Sequence, residues 1–324
     1  MLDQFQREIH YLRISVTDRC NLRCVYCMPE SGVECLPHSA ILTYEQIARL
    51  VEQFAALGVT HIRLTGGEPL VRPQLHKLVA AIRAVPGIQR ITLTTNGILL
   101  AQQLPQLLEA GIDGVNISLD TLDRQQFAAI TRRDLLLETL SGLEVALGVP
   151  GLTVKVNCVP TEANRDQLVP LAALARDRDL SVRFIEMMPI GLGRNLGRLT
   201  QEEVLAQLTD AFGAPLDCPP PPGAGPSTYR TFPGFTGRVG FISAVSHQFC
   251  HNCNRVRLTA TGYLKTCLQY ETGRDLKALL DGGASDDELR QVIAETIRQK
   301  PASHHFSTAA QSGDEAMNMH QIGG

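Results

Sequence analysis

Six of the nine cysteines fall into two short arrays. In the first, Cys20, Cys24 and Cys27 stand in a C-x3-C-x2-C spacing within Asp18-Arg-Cys-Asn-Leu-Arg-Cys-Val-Tyr-Cys-Met-Pro29, just after a strand-like run. A tetrahedral zinc takes four ligands, and an electron-transfer four-iron cluster usually takes four cysteines. Three cysteines on such a cluster leave one iron without a protein ligand, open to bind a small molecule and pass it an electron. The competing reading is zinc, or a structural cluster, completed by Cys35 or His38. The second array, Cys250, Cys253 and Cys267, has the spacing C-x2-C-x13-C, which also suits a zinc ribbon completed by His247 or His251. Between its members runs Asn254-Arg-Val-Arg-Leu-Thr259. In an extended segment Arg255 and Arg257 share one face, as two guanidinium forks suited to phosphates or as a merely solvated pair.

These residues need a scaffold, and residues 12–185 alternate strand-like runs with helical periodicity. Thr43 and Gln46 form a capping-box pattern ahead of Ile47, Leu50, Val51, Phe54 and Leu57 at helical spacing. Leu75, Leu78, Val79, Ile82 and Val85 repeat it, and the leucines at 104, 107 and 108, at 136, 140 and 143, and at 168, 171 and 174 continue it more weakly. Six strands are expected between these helices, at 12–16, 61–65, 91–95, 115–119, 152–158 and 182–186. Such alternation predicts an α/β fold with a parallel sheet and right-handed crossovers, two units short of a closed eight-stranded barrel.

The strands carry a further signal. Ile62 and Leu64 alternate with His61, Arg63 and Thr65; Leu12, Ile14 and Val16 with Arg13 and Ser15. Thr92 and Thr94, Asn116 and Ser118, and Thr153, Lys155 and Asn157 alternate in the same way with apolar neighbours. If the apolar faces meet the helices, the inner wall is polar and cationic, as in an open barrel wrapped around an anionic ligand. A sheet with one solvated face is the alternative.

Composition narrows the class. The chain has 324 residues, 44% hydrophobic and 19% charged, which suits a large α/β domain with a smaller second region. A net charge of −3 argues against a dedicated nucleic-acid binder. No apolar run approaches the ~18 residues of a membrane span, and the first ten residues do not read as a signal sequence. The expectation is a cytoplasmic protein whose cysteines bind metal in a reducing compartment. A Pro/Gly-rich loop at 218–227 precedes strands expected at 237–243 and 256–258 and two closing helices, giving regions 1–215 and 216–324.

Thr65-Gly-Gly-Glu-Pro69 ends the second strand, with two glycines that permit close backbone approach and Glu68 able to accept from an ammonium. Together with C-x3-C-x2-C it resembles the signature of the radical S-adenosylmethionine (SAM) enzymes. With the second triad, Phe184-Ile-Glu-Met-Met-Pro-Ile-Gly191 and the Asn254 to Thr259 segment, nearly the whole chain resembles the molybdenum-cofactor biosynthesis protein A family, the GTP 3′,8-cyclases. The resemblance implies an incomplete (βα)6 TIM-like barrel closed by a smaller C-terminal α+β region. It also implies two [4Fe–4S] clusters, on Cys20, Cys24 and Cys27 and on Cys250, Cys253 and Cys267, with guanine bound at the second. Tyr26, Gly67, Ser118 and Met188 should contact SAM. Arg13, Arg63, Thr94, Lys155, Arg183, Arg255 and Arg257 should contact GTP, and Arg255 and Arg257 are the candidate catalytic residues.

The implied activity is conversion of GTP to (8S)-3′,8-cyclo-7,8-dihydroguanosine 5′-triphosphate, the first step of molybdenum cofactor biosynthesis. A 5′-deoxyadenosyl radical made from SAM would remove the ribose 3′ hydrogen. Expected partners are GTP, an electron donor and, downstream, cyclic pyranopterin monophosphate synthase, with no membrane or nucleic acid; a homodimer is left open. His61 stands where the family commonly has lysine, and is left out of the binding set. The terminal Gly323-Gly324 is either a frayed end or, as the resemblance implies, a tail reaching the active site. The competing functions are a radical SAM peptide-modifying enzyme, which predicts a fully cysteine-ligated second cluster, and a zinc-binding interaction protein.

Overall fold

The computed structural model describes residues 1–324 except 35, 222–224, 307–311 and 324. Cys35, a candidate fourth ligand, and Gly324 therefore lie outside the described residues. Six parallel strands form the centre: β1 (Tyr11–Ser15), β2 (His61–Thr65), β3 (Arg90–Thr95), β4 (Gly114–Ser118), β5 (Thr153–Cys158) and β6 (Ser181–Ile185). Each lies within a residue or two of its expected position. Between them run α1 (Tyr44–Ala56), α2 (Leu75–Arg83), α3 (Leu100–Glu109), α4 (Arg124–Thr131), α5 (Leu136–Leu147) and α6 (Leu168–Ala173). The Thr43 side chain accepts from the Gln46 amide and the Gln46 side chain returns to the Thr43 amide, so α1 starts on the expected capping box. Helix α4 carries too weak an apolar repeat to have been anticipated; Asp123 caps it.

Beyond α7 (Gln201–Phe212) come β7 (Leu216–Asp217), β8 (Thr228–Thr231), β9 (Arg238–Ile242), β10 (Arg255–Leu258), β11 (Tyr263–Lys265) and β12 (Gly273–Asp275), then α8 (Leu276–Asp281), α9 (Asp286–Arg298) and α10 (Met319–Ile322). The strands expected at 237–243 and 256–258 form, but not in a sheet of their own. β9 pairs parallel with β6, and β10 pairs parallel with β1, giving the order β12-β11-β10-β1-β2-β3-β4-β5-β6-β9-β8-β7. Val239, Phe241, Val256 and Leu258 enter the same buried core as the central strands. A six-stranded open sheet would expose two edges of unpaired backbone groups, and these strands cover both.

The alternation along the strands sorts the faces as expected. Leu12, Ile14, Ile62, Leu64, Ile91, Leu93, Val115, Ile117, Val154 and Val156 pack with the helices in the main core. Their polar neighbours line the opposite, concave face, where the register aligns Arg257 with Arg13 and Arg13 with Arg63 across three strands.

Candidate active site between two cysteine triads

A cavity of about 310 Å³ occupies the concave face, and all six cysteines of the two arrays line it. Arg13, Thr94, Ser118, Met188, Arg255, Arg257, Tyr26 and Gly67 line it as well. One space thus collects the first cysteine loop, all four expected SAM contacts and four of the seven expected GTP contacts. A second cavity, about 210 Å³, is lined by His10, Tyr11, His61, Arg63, Arg90 and Thr92. Arg63 therefore faces this second space rather than the first. Lys155 and Arg183 are 3% and 2% exposed and line neither described cavity.

The first cysteine loop is held by local geometry. Gly67 follows β2, and a Cβ there would fall inside the envelope of the Arg19 carbonyl on the cysteine loop, so only glycine lets the two segments close together. Tyr26 donates from its hydroxyl to Asp120 at 2.5 Å, tying the loop to the segment after β4. Glu68, expected to meet an ammonium, is buried and already accepts from Thr95 Oγ1 at 2.7 Å, the Asn96 amide at 2.6 Å and the Leu70 amide at 3.0 Å. Four lone-pair positions less three bonds leave capacity for one more donor. Burial lifts its carboxyl to about 7 against those bonds, and lifts Asp120 to about 6. Burial likewise pushes Cys20 to about 11, Cys27 to about 12 and Cys24 well above the ordinary thiol value.

The opposite wall is cationic. Arg183 donates to Asn157 Oδ1 at 2.9 Å and to Asn116 Oδ1 at 2.7 Å, and Gly240 leaves room beside its stem. Arg63 donates to Thr92 Oγ1 at 3.2 Å and lies over the Tyr11 ring. Among the described residues no carboxylate pairs with Arg13, Arg63, Arg183, Arg255 or Arg257. The Nε atoms of Arg13 and Arg255 and the Thr94 hydroxyl are buried without a partner. Burial, then neighbouring cations, pulls Arg13 well below and Arg257 to about 10. Burial together with Arg183 and Arg63 brings Lys155 down to about 6. Buried cations are normally paired, so this wall is built for an anion. His61 bonds its Nδ1 to Thr60 Oγ1 at 2.8 Å, and burial and His10 lower its pKa, so it does not take over the charge of the family's usual lysine.

The second triad sits beside Lys300, whose ammonium donates to the carbonyls of Arg255 at 3.0 Å and of Thr266. Burial pushes Cys253 up, but Lys300 and Arg255 outweigh it and hold the thiol at about 7. The tail reaches into the site: Arg257 donates to the Gly323 carbonyl, and Gly323 abuts Ser15 and Thr65. Residues without a sequence signal complete the walls. Arg7 donates to the Cys250 carbonyl at 2.9 Å, and Glu186 receives the amides of Val245 and Ser246 at 2.8 and 2.9 Å, joining β6 to the loop after β9. Arg7 had no motif around it; Glu186 lay within a quoted motif but carried no role there.

Residues 14–175 match the Radical SAM superfamily, and residues 180–306 match the family described as Molybdenum Cofactor Synthesis C. In fold the chain is similar to Streptococcus suis SuiB bound to S-adenosylmethionine, with a TM-score of 0.59 at 16% identity, covering 90% of this chain and 68% of that one. The three-cysteine loop on a partial parallel barrel, with these matches, defines an enzyme of the radical SAM class. In sequence the chain is 47% identical over 328 residues to the GTP 3′,8-cyclase of Pelotomaculum thermopropionicum and 43% identical over 328 residues to that of Heliobacterium modesticaldum, each covering 100% of both chains. The chain belongs to the GTP 3′,8-cyclase family.

Two [4Fe–4S] clusters and SAM are the cofactors of that family, and the residues present fit them. Each triad offers three soft thiols on one cavity wall, the chemistry an iron–sulfur cluster requires. Among the described residues no three His, Cys, Asp or Glu side chains are grouped to hold a single metal ion.

Proposed function

We propose that this chain converts GTP to (8S)-3′,8-cyclo-7,8-dihydroguanosine 5′-triphosphate in the first step of molybdenum cofactor biosynthesis. The observation that carries the reading is that Arg13, Arg255 and Arg257, without carboxylate partners among the described residues, line the same cavity as both cysteine triads. A polyanion placed there gains charge-assisted bonds that the empty wall lacks.

When bound, the cluster on Cys20, Cys24 and Cys27 supplies the electron that cleaves SAM to methionine and a 5′-deoxyadenosyl radical. Gly67, Ser118, Met188 and Tyr26 would hold SAM beside it, and the fourth acceptor position of Glu68 could take a donor such as the methionyl ammonium. Cys250, Cys253 and Cys267 would hold the second cluster, which would supply a binding point for the guanine. Arg13, Thr94, Arg255 and Arg257 line the cavity and would contact GTP there, while Arg63, Lys155 and Arg183 would add positive charge behind that wall. Fixing both ends of GTP brings C8 toward C3′ at little further entropic cost. Arg255 and Arg257 are the groups placed to steer the reduction that completes ring closure. The apolar residues Met188, Leu268, Ile190 and Phe306 keep water from the radical's path.

The setting also supports a cytoplasmic enzyme with an external electron donor, its product passing to cyclic pyranopterin monophosphate synthase: the eight described cysteines are free thiols, and the second family match is to molybdenum cofactor synthesis. Among the described residues no helix is long and apolar enough to cross a membrane. The test is an anaerobic reaction of the reconstituted, dithionite-reduced protein with SAM and GTP. About eight irons per chain and 5′-deoxyadenosine that depends on GTP are expected. SAM cleavage indifferent to GTP would redirect the C-terminal half to peptide modification, and bound zinc without iron would overturn both readings.

A further inference from the structure

A buried ion pair lies beside the site without touching it. Lys265, at the end of β11, is 0% exposed, and Glu315 is 3% exposed. The Lys265 ammonium donates to the Glu315 carboxylate and to the Tyr270 carbonyl at 2.5 Å. The other Glu315 oxygen accepts from the Met317 amide at 2.8 Å, and the Glu315 amide donates to the Gln269 carbonyl at 2.5 Å. Asp314 next to it accepts from Gln269 Nε2 at 3.0 Å. Such a pair contributes little net stability relative to apolar residues of similar volume, and its best-attested use is to fix a register.

The register at stake is that of the C-terminal segment. Beyond Glu315 the chain makes the short helix α10, sets Ile322 against Ile190 and Leu268 in a small satellite core, and ends with the Gly323 carbonyl on Arg257. Within α10, His320 places its Nδ1 3.1 Å from the Cys27 carbonyl. One segment thus touches both the first cysteine loop and the arginine beside the second triad. Around Ile190, Leu268 and Ile322 this satellite core is packed by Met188, Met317, Met319 and Phe306, and methionines fill space without specifying position. The paired charges at the start of the segment can add that specificity, because a shift by one residue would set the shorter Asp314 or the uncharged Ala316 in place of Glu315 beside the buried Lys265 ammonium.

We propose that Lys265 and Glu315 are a positioning pair: they touch no substrate, and they set the register in which the C-terminal segment spans from the Cys27 carbonyl to Arg257. The effect on turnover rests on the GTP-cyclase reading above; the effect on the segment does not. The test uses the iron-loaded full chain and a double variant, Lys265→Met with Glu315→Met, which leaves no lone buried charge. Glu315→Gln, which keeps the side-chain volume, serves if the double variant does not fold. Lys277→Met, which breaks the exposed Lys277–Asp281 pair on α8, is the control.

Hydrogen exchange measured by mass spectrometry should rise at least tenfold across residues 316–322 in the pair variants and stay unchanged in β1 to β6. With GTP present, kcat for 5′-deoxyadenosine formation should fall at least tenfold while KM for SAM stays within twofold, and Lys277→Met should change neither. Unchanged exchange across 316–322 in a folded variant overturns the proposal. So does faster exchange with full GTP-dependent turnover, since the segment's register would then not matter to the reaction. If the unaltered chain ignored GTP, the GTP-cyclase reading would fall, and the exchange measurement would still decide the role of the pair.

Discussion

The two cysteine triads share one cavity yet stand in opposite electrostatic settings. Around Cys20, Cys24 and Cys27 the protein offers apolar burial with Glu68 and Asp120 nearby, and all three thiols are pushed upward. In the second triad burial still raises Cys250, but around Cys253 the protein offers Lys300 and Arg255, which outweigh burial and pull that thiol down to about 7. The same ligand type is thus set against acids in one place and bases in the other. On the proposed reading the ligands differ in charge as well: SAM carries a sulfonium and an ammonium, whereas GTP is a polyanion. An electron-only second cluster would have no need of the cationic wall.

The sharpest way to break this comparison is to remove one thiol from each triad. Cys24→Ala should abolish SAM cleavage, with a loss of at least ~10³-fold, because the cluster that reduces SAM is not assembled. Cys253→Ala should lose GTP-dependent turnover but keep slow GTP-independent cleavage, and either variant should hold about four irons rather than about eight. Iron assay with 5′-deoxyadenosine chromatography separates them; equal loss of SAM cleavage would erase the distinction.

Next in size is Arg257→Met. Losing a charge-assisted contact costs about 1.5–3 kcal/mol, so kcat/KM for GTP should fall roughly 10- to 150-fold while KM for SAM is little changed. A matching rise in the KM for SAM would mean that the cationic wall serves both ligands.

Lys155 gives a pH test. Its ammonium is held down to about 6 by burial and by Arg183 and Arg63, and a bound polyanion must raise it again. The complex then binds more protons than the free protein above pH 6, so GTP affinity should weaken as pH rises from about 6, by at most about tenfold per pH unit. Lys155→Arg, which stays protonated, should flatten that slope in calorimetric titrations; a slope unchanged by the substitution would assign the linkage elsewhere. The smallest effect concerns the iron-free protein. At pH 7.5 Cys253 should be alkylated fastest and Cys24 and Cys27 slowest of the six triad cysteines, and Lys300→Met should slow Cys253 several-fold by removing a cation that favours its thiolate.

Much of this was legible in the chain, and the reasons differ by element. Strands β1 to β6 could be placed because their two faces meet different environments, core on one side and cavity on the other, and a period of two records that directly. Arg13 and Thr94 were marked as cavity-facing the same way, whereas Lys155, marked by the same alternation, lines neither described cavity. The six cysteines stood out because metal ligation demands short spacings. Helix α4 was missed because it is short and buries only Phe127, Ile130 and Thr131, too few to set up a helical apolar repeat. Arg7, Asp120 and His320 act through partners far away in the chain, and no local pattern marks such a residue. Glu68 was visible, but its three protein donors were not, since two of them arrive from the end of β3.

What the sequence determined by itself is what local periodicity and spacing can encode: the βα alternation, the polarity of each strand face, the two metal-binding arrays and the arginine pair between the second array's members. Tertiary structure alone decided that β9 and β10 extend the barrel sheet at its two edges, which brings the second triad against the same cavity as the first. It also decided that Arg63 faces a separate space, and that the segment ending at Gly323 enters the barrel under the hold of Lys265 and Glu315. The physical reason is common to all three. Edge pairing, cavity partition and tail register are set by contacts between residues far apart in the chain, and the free energy of those contacts exists only once the chain has closed around them.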